Sequence, residues 1–257
     1  MKNLKWVLLI FTAIFFLPAL SWAQVGENYT VELEGRYWRP ELDSTVRIVD
    51  RGIGQDFKVV DDLGFEERQD SGEGRLQIKF AKRHKINFSY LPLNWDGDKV
   101  LTRTIEFNGQ IYPGGTRVQS EMDLKMFKAG YEYDFISGQV GFLGAILEVL
   151  VADVHLQLKA PDLAIDEKED ATLPIPLVGL NTRLYLGKWF ALTGKVSGLP
   201  AGGYGYIYDA EGSLDFNPIR YVGISAGYRF FGVKAENDDD SLDLKLQGPF
   251  ASVKIRF

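Results

Sequence analysis

Apolar and polar residues alternate along most of this chain, and this period of two is the feature that most limits its fold. Near the start, Tyr29, Val31 and Leu33 share one face, while Thr30 and Glu32 share the other. Successive side chains of a β-strand point to opposite faces. The pattern therefore predicts an all-β protein whose strands have one apolar and one polar face.

The first 23 residues have a different composition. Lys2 and Lys5 precede an apolar run from Trp6 to Leu20, and Ser21-Trp22-Ala23 follows. This order is typical of a secretory signal peptide that is cleaved after a small residue. A membrane anchor is the alternative, but about fifteen apolar residues are fewer than the roughly 20 that a spanning helix needs. We expect a signal peptide at 1–23.

Composition excludes several kinds of function. The chain has a net charge of −6 and contains no cysteine. An acidic chain is poorly suited to nucleic acid. The absence of cysteine excludes disulfides, thiolate metal sites and a cysteine nucleophile. We expect no cofactor and no nucleic-acid partner.

After residue 23 the sequence offers no apolar helix long enough to span a membrane. The most apolar stretch, Val140 to Val154, is interrupted by Glu148 and Asp153. In hydrocarbon every backbone polar group must be paired within the protein, so strands can cross only as a closed barrel. We therefore predict one closed antiparallel transmembrane β-barrel domain over residues 24–257, multi-pass by β-strands in the outer membrane of a Gram-negative cell.

Turn signals divide this domain into ten segments, with eight or twelve strands as alternatives. Short turns lie at 82–84, 136–137, 187–189 and 217–218, whereas longer connections are predicted at 40–72, 95–116, 160–171 and 236–240. Short periplasmic turns that alternate with longer outer loops are typical of such barrels. Aromatic residues near the segment ends, among them Trp38, Trp95 and Trp189, predict two interfacial girdles. Alternatively, these rings fill the core of a β-sandwich or lipocalin-like barrel.

The last segment ends on Phe257, with Val253 and Ile255 on the same face. A terminal strand of this kind looks like the C-terminal insertion signal of bacterial outer-membrane proteins, which implies the outer-membrane insertion machinery as a partner. The apolar positions change from even to odd numbers across Gly248-Pro249, which predicts a bulge there.

Four short motifs carry a wider resemblance. They are Asp61-Asp62-Leu63-Gly64-Phe65, Ser197-Gly198-Leu199-Pro200-Ala201-Gly202, Gly227-Tyr228-Arg229-Phe230-Phe231 and Leu246-Gln247-Gly248-Pro249-Phe250. Over essentially the whole mature chain, the sequence resembles a family of uncharacterised outer-membrane β-barrel proteins of Gram-negative bacteria. The resemblance implies the fold and the location, with membrane lipid and lipopolysaccharide as neighbours, but no catalytic residues.

The polar face supplies candidates for the lining of the lumen. They are Glu32, Glu34, Arg36, Arg75, Lys79, Glu132, Glu148, Arg183, Lys195, Asp209, Glu211, Arg229 and Lys245. Both charge signs are present, and barrels of about eight strands are filled by their side chains. We therefore expect a narrow or plugged structural or surface-interaction barrel, with a small-solute, porin-like channel as the alternative.

Catalysis and metal binding have weaker support. The chain has only two histidines, and His84 lies in a basic turn, which leaves Asp153 with His155 as the one pair that suits a hydrolase. This is a second alternative, and we expect no enzyme. Acids crowd 166–170 and 236–240 without the spacing of a calcium loop, so we predict no metal site. The long first loop could meet an extracellular ligand.

Overall fold

The computed structural model describes residues 28–50, 53–200, 202–237 and 240–257. The predicted signal peptide lies outside these residues. No helix in the described part of the chain is long and apolar enough to cross a membrane.

Strands dominate the described chain. They are β1 (Val31–Trp38), β2 (Glu41–Asp50), β3 (Ile53–Lys58), β4 (Ser71–Phe80), β5 (His84–Val100), β6 (Ile105–Phe107), β7 (Gln110–Tyr112), β8 (Arg117–Gly138), β9 (Gly141–Ala160), β10 (Ile165–Tyr185), β11 (Phe190–Pro200), β12 (Gly205–Ile219), β13 (Val222–Asn237) and β14 (Asp240–Arg256). A short helix, Val59–Leu63, follows β3, and single 3₁₀ turns occur at Pro161–Leu163 and Gly202–Tyr204.

Ten of these strands form a closed antiparallel barrel. Their order is β1-β4-β5-β8-β9-β10-β11-β12-β13-β14, and β14 pairs back onto β1. The predicted fold class and the count of ten are confirmed. The strands are longer than predicted: β5 continues to Val100, the hairpin β6–β7 lies within 95–116, and only four residues separate β9 from β10.

At the closing seam, β14 pairs with two different strands along its length. The part of β14 from Phe250 to Arg256 pairs with β1, whereas the part from Ser241 to Gln247 pairs with β2. Between them Arg39–Pro40 interrupts the wall, and the Arg39 amide donates to the Pro249 carbonyl at 3.2 Å. The hairpin β2–β3 therefore extends the wall above the seam.

The predicted bulge at Gly248-Pro249 is wrong. The strand β14 pairs with β13 through this point without a register shift, with Gly248 opposite Arg229 and Pro249 opposite Tyr228. Even-numbered residues of β14 face inward on both sides of Gly248. The apolar residues change face because the surroundings of the wall change along its length.

This reversal also occurs in β8. Its upper part, near Met122 and Met126, has apolar residues inside and polar residues such as Asp123 outside, whereas its lower part has Lys128 inside and Phe127 outside. A strand needs about 9–11 residues to cross a bilayer, and β8 has 22. The lower half therefore faces lipid around a polar interior, and the upper half is built like a soluble protein.

The aromatic residues of the two predicted girdles form two groups, one exposed on the outer face and one buried in the upper core. Trp189 and Tyr221 near the short turns, and Tyr37 and Tyr90 farther up, are 47–49% exposed on the outer face. Trp38 and Trp95 are instead 0% and 1% exposed. Those two rings belong to the upper core, so the girdle prediction is wrong for them.

We expect the cost of adding a charge to the outer face to depend on whether the residue lies below or above the reversal. Leu147→Arg, in the lipid-facing band, should lower the free energy of unfolding by about 2–4 kcal/mol. Gln119→Arg adds the same charge to the polar outer face of β8 and should cost less than about 1 kcal/mol. Equilibrium denaturant unfolding in vesicles measures both, and equal costs would contradict the assignment of the band.

Candidate functional site: the barrel interior

The structure places twelve of the thirteen predicted lumen residues on inward-facing positions. They are Glu32, Glu34, Arg36, Arg75, Lys79, Glu132, Glu148, Arg183, Lys195, Asp209, Glu211 and Arg229. Lys245 does not line the lumen: its side chain is 46% exposed on the upper outer face and pairs with Asp243 at 3.1 Å. The prediction failed there because Lys245 lies above the reversal, where polar residues face outward.

One cluster of ion pairs forms beside the closing seam. Glu211 of β12 accepts from Arg36 at 2.7 Å and from Arg75 at 2.8 Å. Arg36 also contacts Glu34 at 3.0 Å, and Arg75 contacts Glu73 at 2.9 Å. These contacts cross the lumen from β1 and β4 to β12, which lies three strands from β1 around the barrel.

A second cluster continues this layer. Arg229 donates to Asp209 at 2.7 Å and to Glu73 at 3.3 Å. Lys128 also binds Asp209, and it approaches Glu148 at 3.7 Å. Glu148 in turn accepts from Lys195 at 2.9 Å and from Ser197 at 2.6 Å.

Two further clusters lie nearer the short turns. Lys85, 1% exposed, donates to Glu132 at 2.7 Å and to Asp134 at 3.0 Å. Its Nζ also lies 3.5 Å from the centre of the Phe142 ring. Gly144 leaves room for this group, since a Cβ there would lie 2.7 Å from Asp134 Oδ1.

The other lower cluster centres on Asp215, which accepts from Arg183 at 2.8 Å and from Lys254 at 3.0 Å. Arg256 at the end of β14 donates to Glu32 at 2.5 Å and to Asn217 at 2.6 Å. The last strand is thus bound to the first by side chains as well as by backbone pairing.

Together, the described interior ion pairs join nine basic and nine acidic side chains. Seven charged residues of the interior were not predicted from the sequence: Glu73, Lys85, Lys128, Asp134, Asp215, Lys254 and Arg256. Glu73, Lys128, Asp134 and Asp215 share the parity of a predicted lumen residue in the same strand, so strict alternation would have found them. Lys85, Lys254 and Arg256 lie in strands for which no lumen residue was correctly predicted.

Above the charged layer the lumen is filled by apolar side chains. Nine of the described strands contribute buried side chains to this apolar plug, and its members include Trp38, Leu91, Met126, Leu150, Leu177, Ile207, Phe231, Leu246 and Phe250. All nine are at most 6% exposed. Below the plug, a cavity of about 110 Å³ lies among the charged side chains. It is large enough for a few waters.

The plug and the charged layer are joined by cation–ring contacts. The Arg36 guanidinium lies 3.8 Å from the centre of the Phe250 ring, and that of Arg229 lies 4.7 Å from the Trp38 ring. Such contacts allow an arginine to form ion pairs with acids below while its guanidinium packs against an aromatic ring above.

The outer mouth has a second apolar cover. Leu101, Ile105, Val118 and Leu158 pack with Tyr112 beneath the hairpin β6–β7. The Tyr112 hydroxyl donates to the Leu158 carbonyl at 3.2 Å. Burial, helped by nearby Glu167 and Asp166, raises the pKa of Tyr112 to about 12.

Asp153 and His155 face outward from β9. His155 Nδ1 lies 2.5 Å from Asp170 of β10, and Asp153 accepts from Thr172 at 3.0 Å. His84 contacts the Tyr131 hydroxyl on the outer wall near the turns. Acids of the predicted loop clusters also bind neighbours: Asp166 accepts from Gln157 at 2.5 Å, and Glu236 pairs with Lys234 at 2.5 Å.

Comparison with known proteins identifies the fold. No family model and no curated protein matches the sequence. The outer-membrane protease OmpT of Escherichia coli superposes with a TM-score of 0.58 at 9% identity, over 88% of this chain and 97% of that one. The transport unit of the autotransporter AIDA-I, also from E. coli, gives 0.49 at 9% identity over 96% of both chains. Ail of Yersinia pestis gives 0.36 at 11% identity, over 87% and 99%.

This protein is an integral outer-membrane β-barrel. Its apolar lipid-facing band, its closed sheet and its short turns agree with that architecture. Val253, Ile255 and Phe257 lie on the outer face at 46–67% exposure. Their role in insertion stays a prediction.

We expect the interior ion pairs to hold the wall together. Arg229→Met removes one of the basic partners of buried Asp209 and of buried Glu73, and loss of one member of a buried pair costs about 3–5 kcal/mol. Lys245→Met breaks an exposed pair and should cost less than about 1 kcal/mol. Denaturant unfolding of both folded variants tests this, and a cost for Arg229→Met as small as that of the control would refute it.

Proposed function

We propose that the protein is a plugged, non-enzymatic barrel that presents a rigid surface above the outer membrane. The observation that carries this proposal is the apolar plug, with the neutral ion-pair layer beneath it. A lumen filled in this way stabilises the wall and supports the upper strands. The exposed upper face and the strands β2 and β3 of the first connection are then the surfaces for lipopolysaccharide and an extracellular ligand.

A small-solute channel has less support. Ions cross a barrel through a continuous polar path, whereas Leu91, Leu150 and Leu246, each at most 1% exposed, lie within the described lumen. The interior charges below them are engaged with one another, so they offer few groups for a passing solute. The cavity of about 110 Å³ is small beside the wide lumen of a large porin.

A hydrolase also has less support. The likeness to OmpT concerns the fold alone. Asp153 and His155 face away from the lumen, and His155 is paired with Asp170 of the neighbouring strand β10. A general base needs a nucleophile or water held against its free nitrogen, and the neighbouring Thr172 hydroxyl is bound to Asp153.

We expect the purified, folded protein to be silent in a planar bilayer. A plug-opening variant, Trp38→Ala with Phe231→Ala and Phe250→Ala, should conduct, because it removes three rings from the plug. Single-channel recording compares the two proteins, and heat-modifiable gel migration verifies that each is folded. If the triple variant fails to fold, Phe231→Ala alone takes its place.

Discrete conductance of the wild type would refute the plugged lumen. A variant neutralised at Glu32, Glu34 and Arg36 would then show whether these residues line the path, because its ion selectivity would change. Hydrolysis of peptide or ester substrates that disappears in both Asp153→Asn and His155→Gln would refute the non-enzymatic part of the proposal.

A further inference from the structure

The four short turns at the periplasmic end have an unusual composition. They are 81–83, 139–140, 186–189 and 220–221. Their charged residues are Lys82, Arg83, Lys188 and Arg220, and none of these turns contains Asp or Glu. All four basic side chains are exposed.

These four residues, the basic turn ring, keep their charge uncompensated. Within the described part of the chain, none of the four has an ion-pair partner. Two interior acids at this end of the barrel already have basic partners: Asp134 binds Lys85, and Asp215 binds Arg183 and Lys254. The ring therefore presents positive charge to whatever lies beside the turns.

The chain as a whole makes this ring conspicuous. Its net charge is −6, although the described interior pairs balance and the turn end is basic. In the described upper part of the barrel, acidic side chains outnumber basic ones, and Asp96, Glu121 and Asp123 occupy its outer face. The two ends of the barrel thus have opposite charge.

Aromatic residues indicate the depth of the basic turn ring relative to the membrane. The Arg220 guanidinium lies 4.3 Å from the centre of the Tyr221 ring, and Lys188 Nζ lies 5.8 Å from that of Trp189. Tyr131 and Tyr133 face outward at the same end, at 41% and 38% exposure. Tyrosine and tryptophan mark the boundary between hydrocarbon and headgroups. Long basic side chains beside such rings extend their charge into the headgroup layer.

We propose that the basic turn ring binds the phosphates of anionic phospholipids in the periplasmic leaflet. The ring continues the lipid-facing surface directly, and its charge is complementary to phosphate. The turns have two to four residues, too few to reach far from the bilayer. This favours a lipid headgroup over a polymer deeper in the periplasm.

Native mass spectrometry of the folded protein tests this with equal amounts of phosphatidylglycerol and phosphatidylcholine in the same micelles. The turn variant carries Lys82→Gln, Arg83→Gln, Lys188→Gln and Arg220→Gln. Its control carries Arg117→Gln, Lys125→Gln, Lys168→Gln and Lys245→Gln, which removes the same charge from the upper outer face.

The wild type and the control should retain phosphatidylglycerol preferentially, and the turn variant should lose this preference by about tenfold or more, since each basic residue near a membrane surface contributes several-fold to binding. Unchanged preference in the turn variant, or equal loss in both variants, would overturn the proposal. So would loss of binding to purified peptidoglycan sacculi without any change in lipid preference. If the quadruple variant does not fold, the pairs Lys82/Arg83 and Lys188/Arg220 are replaced separately.

Discussion

Pairing of backbone groups is the constraint on which the rest of this structure depends, because hydrocarbon offers no other partner for them. Closure between β1 and β14 meets it in the lower half of the wall. Above the seam, β2 takes over as the partner of β14, so the sheet continues where the membrane ends. The side-chain bonds of Arg256 with Glu32 strengthen the contact between the first and last strands.

The interior of the barrel changes from polar to apolar along the same strands, because the outside of the wall changes from lipid to water. In the membrane the outside must be apolar, so polar residues turn inward, and their charges are acceptable because they pair. Above the membrane the outside meets water, and the apolar residues move inside. Trp38 and Phe250 lie at the junction and contact Arg229 and Arg36, which belong to the charged layer.

The alternation of residues was enough to predict the fold class, the ten barrel strands and most inward-facing positions. It was not enough to predict the heights at which the strands cross the membrane surface, since a period of two is the same in lipid and in water. The errors at Lys245, Trp38, Trp95 and Gly248-Pro249 share this cause. The pairing partners of the interior charges depend on the register between strands distant in sequence, as for Arg36 with Glu211. No local pattern encodes that register.

The reversal between Met126 and Lys128 also restricts how such a chain can change in evolution. Insertion or deletion of one residue inside a strand exchanges its two faces from that point onward. In the sheet of a soluble protein, such an exchange exposes the apolar core to water. In this barrel, it would place charged side chains in lipid if it affected the lower part of a strand, and apolar side chains in water if it affected the upper part. Changes in length are therefore confined to strand tips and loops, whereas strand interiors can vary only by substitution.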